Sequence, residues 1–97
     1  MPTYISLCNW TDQGIRDVKG APKRIDAAKR SIKDAGGEFK ALYMTMGAYD
    51  VVTVIEAPDD ETVAKFLLSV GGMGNIRTTT LRAFNEAETK SIIGSFA

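Results

Sequence analysis

Two short segments carry the side chains best suited to chemistry, Asn9-Trp10-Thr11-Asp12-Gln13-Gly14 and Met46-Gly47-Ala48-Tyr49-Asp50. The Tyr49 phenol and the Asp50 carboxylate sit side by side in a glycine-containing loop. They could serve as donor and acceptor at a pocket rim, or Asp50 could act as a base while Tyr49 steadies a developing oxyanion. The same residues also make a sound hairpin, because glycine tolerates positive φ and Asp50 can accept from nearby backbone amides. Trp10 with Asn9 would wall a ligand site, or Trp10 would anchor packing while Thr11 or Asp12 caps a helix. Arg77, two residues after Asn75, could clamp a ligand carboxylate and could equally pair with an acid across an interface.

What is missing narrows the chemistry. The chain has no histidine and one cysteine, so the usual zinc, haem and copper ligand sets cannot be assembled, and no metal or cofactor is expected. Serine or cysteine nucleophiles activated by histidine are excluded on the same ground. Cys8 has no second thiol to pair with inside the chain. Gly71-Gly72-Met73-Gly74-Asn75 is rich in glycine but leads from a helix into a strand. Phosphate loops run from strand to helix, so phosphate binding is set aside.

The elements that must hold these residues follow from patterning. A first strand spans 3 to 10, ending at Thr11-Asp12-Gln13-Gly14. Ile15, Val18, Ile25, Ala28, Ile32 and Ala35 then recur at helical spacing among basic residues, which predicts an amphipathic helix over most of 15 to 35. Pro22 would start its main body or kink it. The basic residues read as a solvated face. Gly36-Gly37 ends the helix, and strands at 38 to 46 and 50 to 57 form a hairpin. A second helix starts near Asp60, with Val63, Phe66, Leu67 and Val70 on one face, and stops at the glycines after Val70. A fourth strand covers 75 to 84. Asn85 and Glu88 have the spacing of a capping box for a tail helix carrying Ile92, Ile93 and Phe96.

The order β-α-β-β-α-β plus a tail predicts an α+β fold of the ferredoxin-like split β-α-β kind. Its four strands form an antiparallel sheet with two helices on one face. One domain covering 1–97 is expected from the length. Ile5 and Leu7 oppose Tyr4, Cys8 and Trp10, while Val51 and Ile55 oppose Val52 and Val54, so both sheet faces carry apolar residues. Helices cover one face, which predicts self-association through the other.

Composition sets further bounds. Of 97 residues 44% are hydrophobic and 25% charged, with 12 basic and 12 acidic, so neither the basic excess of a nucleic-acid partner nor that of a membrane-surface partner is present. No window approaches the roughly 18 apolar residues of a membrane span, and the N-terminus lacks a basic region followed by an apolar one. Cytoplasmic residence is the expectation.

The sequence resembles the GYD domain family, small prokaryotic proteins named for a hairpin sequence like Gly47-Ala48-Tyr49-Asp50. The likeness includes Trp10 to Gly14, Arg24-Ile25-Asp26-Ala27-Ala28, Gly36-Gly37, Pro58-Asp59-Asp60, Gly74-Asn75 with Arg77, and Arg82-Ala83-Phe84. Asn85 stands where the family usually has threonine, and both residues cap helices. The resemblance implies a fold similar to the dimeric α/β-barrel superfamily. That superfamily includes cofactor-free monooxygenases, isomerases, haem enzymes and ligand-sensing domains, so fold is a poor guide to activity. Its haem-using members rely on a histidine absent here.

Two functional classes remain in play. The first is a homo-oligomeric module binding a small apolar or acidic ligand near Asn9, Trp10, Tyr49, Asp50 and Arg77. The second is a cofactor-independent enzyme, isomerase- or monooxygenase-like, using Tyr49 and Asp50. A structural or regulatory partner domain is a further alternative. The residues favour binding over catalysis, since no histidine or second clustered carboxylate supports the Tyr49-Asp50 pair.

Overall fold

The computed structural model describes residues 1–96. Strand β1 (Thr3–Trp10) is central, pairing antiparallel with β3 (Val51–Glu56) on one side and β4 (Ile76–Ala83) on the other. β2 (Glu38–Met44) adds to the outer edge of β3, giving the order β2-β3-β1-β4. This is the ferredoxin-like arrangement, with the helices α2 (Ala21–Asp34) and α3 (Asp60–Gly72) as the crossover elements.

Register fixes the two faces. Tyr4, Ser6 and Cys8 lie opposite Ile55, Thr53 and Val51, and all six are buried beneath the helices. Ile5, Leu7, Val52 and Val54 point to the other side, as the strand alternation predicts. A bulge between Phe39 and Ala41 is needed to complete the helix-facing side. Phe39 and Leu42 are three apart, so a regular strand would send them to opposite faces. The extra residue, Lys40, lets both oppose helix-facing partners, Ile55 and Thr53.

The closed core is Tyr4, Ile32, Ile55, Ala57 and Val63, with Phe39, Phe66 and Leu67 packed around it. Ile32 and Ile55 are almost wholly buried, each contributing on the order of 2 kcal/mol. Phe39 and Phe66 meet edge-to-face at 6.3 Å between ring centres. Ser6 and Thr80 satisfy one another across the β1–β4 pair at 2.7 Å. Tyr4 donates its hydroxyl to Asp60 in the first turn of α3, and Arg82 stacks over both the Tyr4 and Phe84 rings.

The first crossover departs from the expected single helix. Thr11 caps a short helix, α1 (Asp12–Arg16), which gives way to one 3-10 turn (Val18–Gly20) before α2 begins with Pro22 in its first turn. Ile15 and Val18, which periodicity places on the core stripe, are exposed instead. The reason lies far along the chain. Gly14 packs so tightly on the Asn75 backbone that a Cβ there would sit 1.9 Å from the Asn75 carbonyl oxygen. Thr11 reinforces the contact, its N–H donating to the Asn75 carbonyl at 3.1 Å and its hydroxyl to that of Gly74 at 2.5 Å. Gln13 Nε2 donates to the Met73 carbonyl and to Asn75 Oδ1. A helix pinned here cannot run straight into α2.

The first strand keeps its expected limits, and the other three end slightly inside theirs. β2 stops at Met44 because the Thr45 N–H turns to donate to the Asp50 carbonyl at 2.8 Å. Asp59 caps α3 through the Thr62 amide, and these Thr62 hydrogen bonds hold its carboxyl below the usual range. The capping box of Asn85 and Glu88 is fully formed and opens α4 (Glu86–Gly94). That helix projects from the body, with its Ile93 60% exposed and Phe96, just past its end, 78% exposed. The radius of gyration, 14.6 Å, accordingly exceeds the roughly 12.5 Å of a compact chain this long.

Gly14→Ala should destabilise the chain by about 2–3 kcal/mol in urea denaturation, because the added methyl collides with backbone that cannot yield. Gly71→Ala, with nothing within 4 Å of the added methyl, should stabilise α3 by about 0.5 kcal/mol. Burial, followed by the hydrogen bond to Asp60, pushes the Tyr4 phenol up from 10.0 to about 12. The folded chain therefore holds this proton more tightly than the unfolded one. Its contribution is complete below pH 10 and should fade as pH rises towards 12. Between roughly pH 10 and 12 the denaturant midpoint should therefore fall further for the native chain than for Tyr4→Phe.

Candidate functional site

The Gly47-Ala48-Tyr49-Asp50 loop is tied to the end of β1. Beyond the Cys8–Val51 pair the β1–β3 ladder stops, and the Trp10 N–H would lack a partner on that side. Asp50 Oδ2 accepts it at 3.0 Å. The Asp50 N–H in turn donates to the Cys8 carbonyl at 2.9 Å, and Asn9 Nδ2 donates to the Ala48 carbonyl at 3.1 Å. Inside the loop the Thr45 hydroxyl donates to the Tyr49 carbonyl at 2.6 Å, and Gly47 adopts φ +120°, which only glycine accepts readily. Asp50 thus fastens the hairpin to a strand forty residues away rather than to its own turn.

Four of the five singled-out residues share this end of the sheet. Asn9, Trp10 and Asp50 are joined by the hydrogen bonds just given, directly or through Ala48, and Arg77 is the β4 partner of Asn9. Asn9 Oδ1 is shielded from solvent with no hydrogen-bond partner among the described residues. Tyr49 is 37% exposed beside them. Arg77 lies on the open face with Asn9, whereas Arg82 lies on the helix face with Tyr4, as their odd spacing requires.

A second feature lies on the opposite side of the sheet. At the Cys8–Trp10 end an apolar cleft of about 190 Å³ lies between the sheet and the two helices. Its floor is the helix face of the sheet, including Cys8, Trp10 and Leu42, and its walls include Ile25 and Ala28 on α2 and Val70 on α3. Trp10 is the only one of the five singled-out residues that lines it. Asn9, Tyr49, Asp50 and Arg77 do not. Burial pushes the Cys8 thiol on the cleft floor up to about 11, so it stays protonated near neutral pH and is a poor nucleophile.

Arg24 stands at the rim of the cleft. Its Nη1 donates to the Asp17 carboxylate at 3.0 Å and to the Asp17 carbonyl at 3.1 Å, and its Nη2 reaches the Gly14 carbonyl at 3.4 Å. Periodicity alone places Arg24 on a solvated face, because its partners belong to the break in the first crossover that spacing does not foresee. The cleft itself has no local sequence pattern to announce it. Among the described residues no group of three or more His, Cys, Asp or Glu side chains is placed to hold a metal ion.

With this geometry in view, comparison with known proteins is decisive for kinship. The GYD domain family matches residues 4–93. The chain belongs to the GYD domain family. It is 37% identical over 89 residues to a Thermus thermophilus protein named "Glutamine synthetase and cystathionine beta-lyase binding protein", covering 91% of this chain and 94% of that one. Solved structures show the same fold. A Thermus thermophilus crystal structure superposes with TM-score 0.55 at 22% identity, covering 88% of this chain and 95% of that one. The leucine response regulatory protein of Mycobacterium tuberculosis gives 0.56 at 15% identity, over 87% of this chain and 51% of that one. In this GYD chain the aspartate of the name is a strand-end cap.

Asp50→Ala should lower stability by about 1–2 kcal/mol in urea and alter Trp10 fluorescence, since the Trp10 amide loses its acceptor. Asp50→Asn keeps an acceptor oxygen and should lose less. Equal stability of Asp50→Ala and the native chain would show that the bond contributes nothing.

Proposed function

We propose that this GYD domain is a homo-oligomeric binding module that pairs two open sheet faces and keeps a mostly apolar ligand pocket in each protomer. The observation that carries the reading is the uncovered face of the sheet. Ile5, Leu7, Val52 and Val54 form its centre, flanked by Tyr43 on β2 and Leu81 on β4, which are 62% and 48% exposed. A single chain leaves this contiguous apolar surface in water, and a second copy offers a complementary twisted sheet to cover it. The tail helix adds to the argument. At nine residues it is marginal alone, and its Ile92, Ile93 and Phe96 lack cover from their own chain.

A binding role fits the site chemistry better than turnover. The Asp50 carboxylate is engaged by a backbone amide, and the cleft lies away from both Tyr49 and Asp50. A second reading, regulation through protein partners, is favoured by the Thermus thermophilus relative, whose name is that of a protein binding two metabolic enzymes. The open sheet end with Asn9, Tyr49 and Arg77, or the tail, would then supply the contact. Retention of glutamine synthetase by the immobilised domain tests that second reading.

Light scattering should return a dimer or larger assembly at micromolar concentration. Val54→Lys, which places a charge at the centre of the open face, should reduce it to monomer while circular dichroism stays unchanged. Truncation after Asn85 should preserve the fold and lower either the assembly size or its dissociation temperature. A native chain that is monomeric under these conditions overturns the shared-sheet reading.

A further inference from the structure

The helix layer closes the core at one end only. Where the C-terminal half of α2 meets the start of α3, Ile32 and Val63 are buried with Tyr4 and Ile55. Where the start of α2 faces the end of α3, Ile25, Phe66, Leu67 and Val70 are only half-buried around the cleft. The split is built in rather than incidental. The first crossover is pinned to the second by Gly14 on Asn75 and by the Thr11 and Gln13 hydrogen bonds. The side chains that α2 turns to the gap, Ala21, Ala27 and Ala28, are too short to fill it.

We propose that this cleft binds a compact, uncharged, apolar molecule, a single aromatic ring or a branched aliphatic group of similar size. The proposal rests on the reading of the domain as a ligand-binding module and names the ligand class that such a site accepts. Volume is the first argument. Apolar protein cavities of about 150 Å³ stay dry and take up benzene, and the cleft, at about 190 Å³, holds one ring with a small substituent. Lining is the second. Trp10, Phe39 and Phe66 offer ring faces and edges, while Ile25, Leu67 and Val70 offer branched aliphatic surface.

Charge is the third argument, and it decides against an acidic ligand. Arg24 is the one charged side chain on the lining, and its guanidinium already meets the Asp17 carboxylate and two backbone carbonyls. Asn75 Oδ1 accepts from Gln13, and the Ser6 hydroxyl is matched with Thr80. An anion entering the cleft would lose its hydration and would meet a single cation whose charge Asp17 already balances. A neutral ring loses little and fills space that otherwise lacks contacts.

Trp10 is the chain's only tryptophan and lines the cleft, so occupancy reports itself in fluorescence. The full chain is titrated with toluene and, separately, with benzoate, following Trp10 emission and Tm, with light scattering on the same samples. Toluene should change the emission saturably and raise Tm by about 5 °C or more at saturation, and benzoate should do neither. Ala28→Leu, which fills the cleft from α2, should abolish the toluene response while keeping or raising Tm. Ser69→Leu does the same from α3 if the first variant fails to fold. No saturable toluene response, a benzoate response equal to that of toluene, or an undiminished response in the filled variant overturns the proposal. A dimer that ignores toluene removes the cleft ligand alone, and a monomer that binds toluene removes the shared sheet alone.

Discussion

The arrangement depends on one backbone contact, the seat of Gly14 against Asn75. Its tightness leaves no room for a side chain, and the hydrogen bonds from Thr11 and Gln13 lock it from both sides. It joins the segment leaving β1 to the segment entering β4, far apart in sequence yet flanking neighbouring strands. From this follow the break in the first crossover, the late start of α2 and the separation of α2 from the end of α3. Arg24 stabilises the break by bridging Asp17 and Gly14. The loop named for Gly-x-Tyr-Asp performs the matching task on the other flank of β1, where Asp50 supplies the acceptor that the β3 ladder no longer provides.

A four-stranded sheet with two helices can complete only one apolar layer from a chain this short. The main buried cluster of that layer is small, with five residues at one end. The remaining apolar surface is divided among the cleft, the open face and the tail helix. A domain this size buries about two-thirds of what its unfolded chain exposes, so each uncovered patch is a large share of the stabilisation available. Whatever covers one of these patches would therefore add a larger fraction to stability here than in a larger protein.

Strand alternation, the capping box and the glycine-marked ends were legible in the sequence because each rests on neighbours within a few positions. The β-α-β-β-α-β order, the two apolar faces and the opposite placement of Arg77 and Arg82 followed from them. What escaped was decided at long range. Ile15 and Val18 keep helical spacing, yet the short helix and the 3-10 turn that carry them are exposed where the crossover is held by Asn75. Asp50 was readable as a turn residue, but its partner, the Trp10 amide, comes from the far end of another strand. The bulge at Lys40 hides behind a run of strand-forming residues, and the cleft is lined by residues from the sheet and both helices that no local pattern brings together.

The bulge has a wider consequence. β2 is an outer strand, and its free edge would otherwise offer a continuous row of N–H and C=O groups to any exposed strand in solution. At Lys40 that row loses its regular spacing, and a long cationic side chain stands at the irregularity. Sheet growth from this side meets broken register and the charged Lys40–Glu38 pair at once, so the chain can keep a sticky face while resisting the edge-to-edge stacking that leads to fibrils.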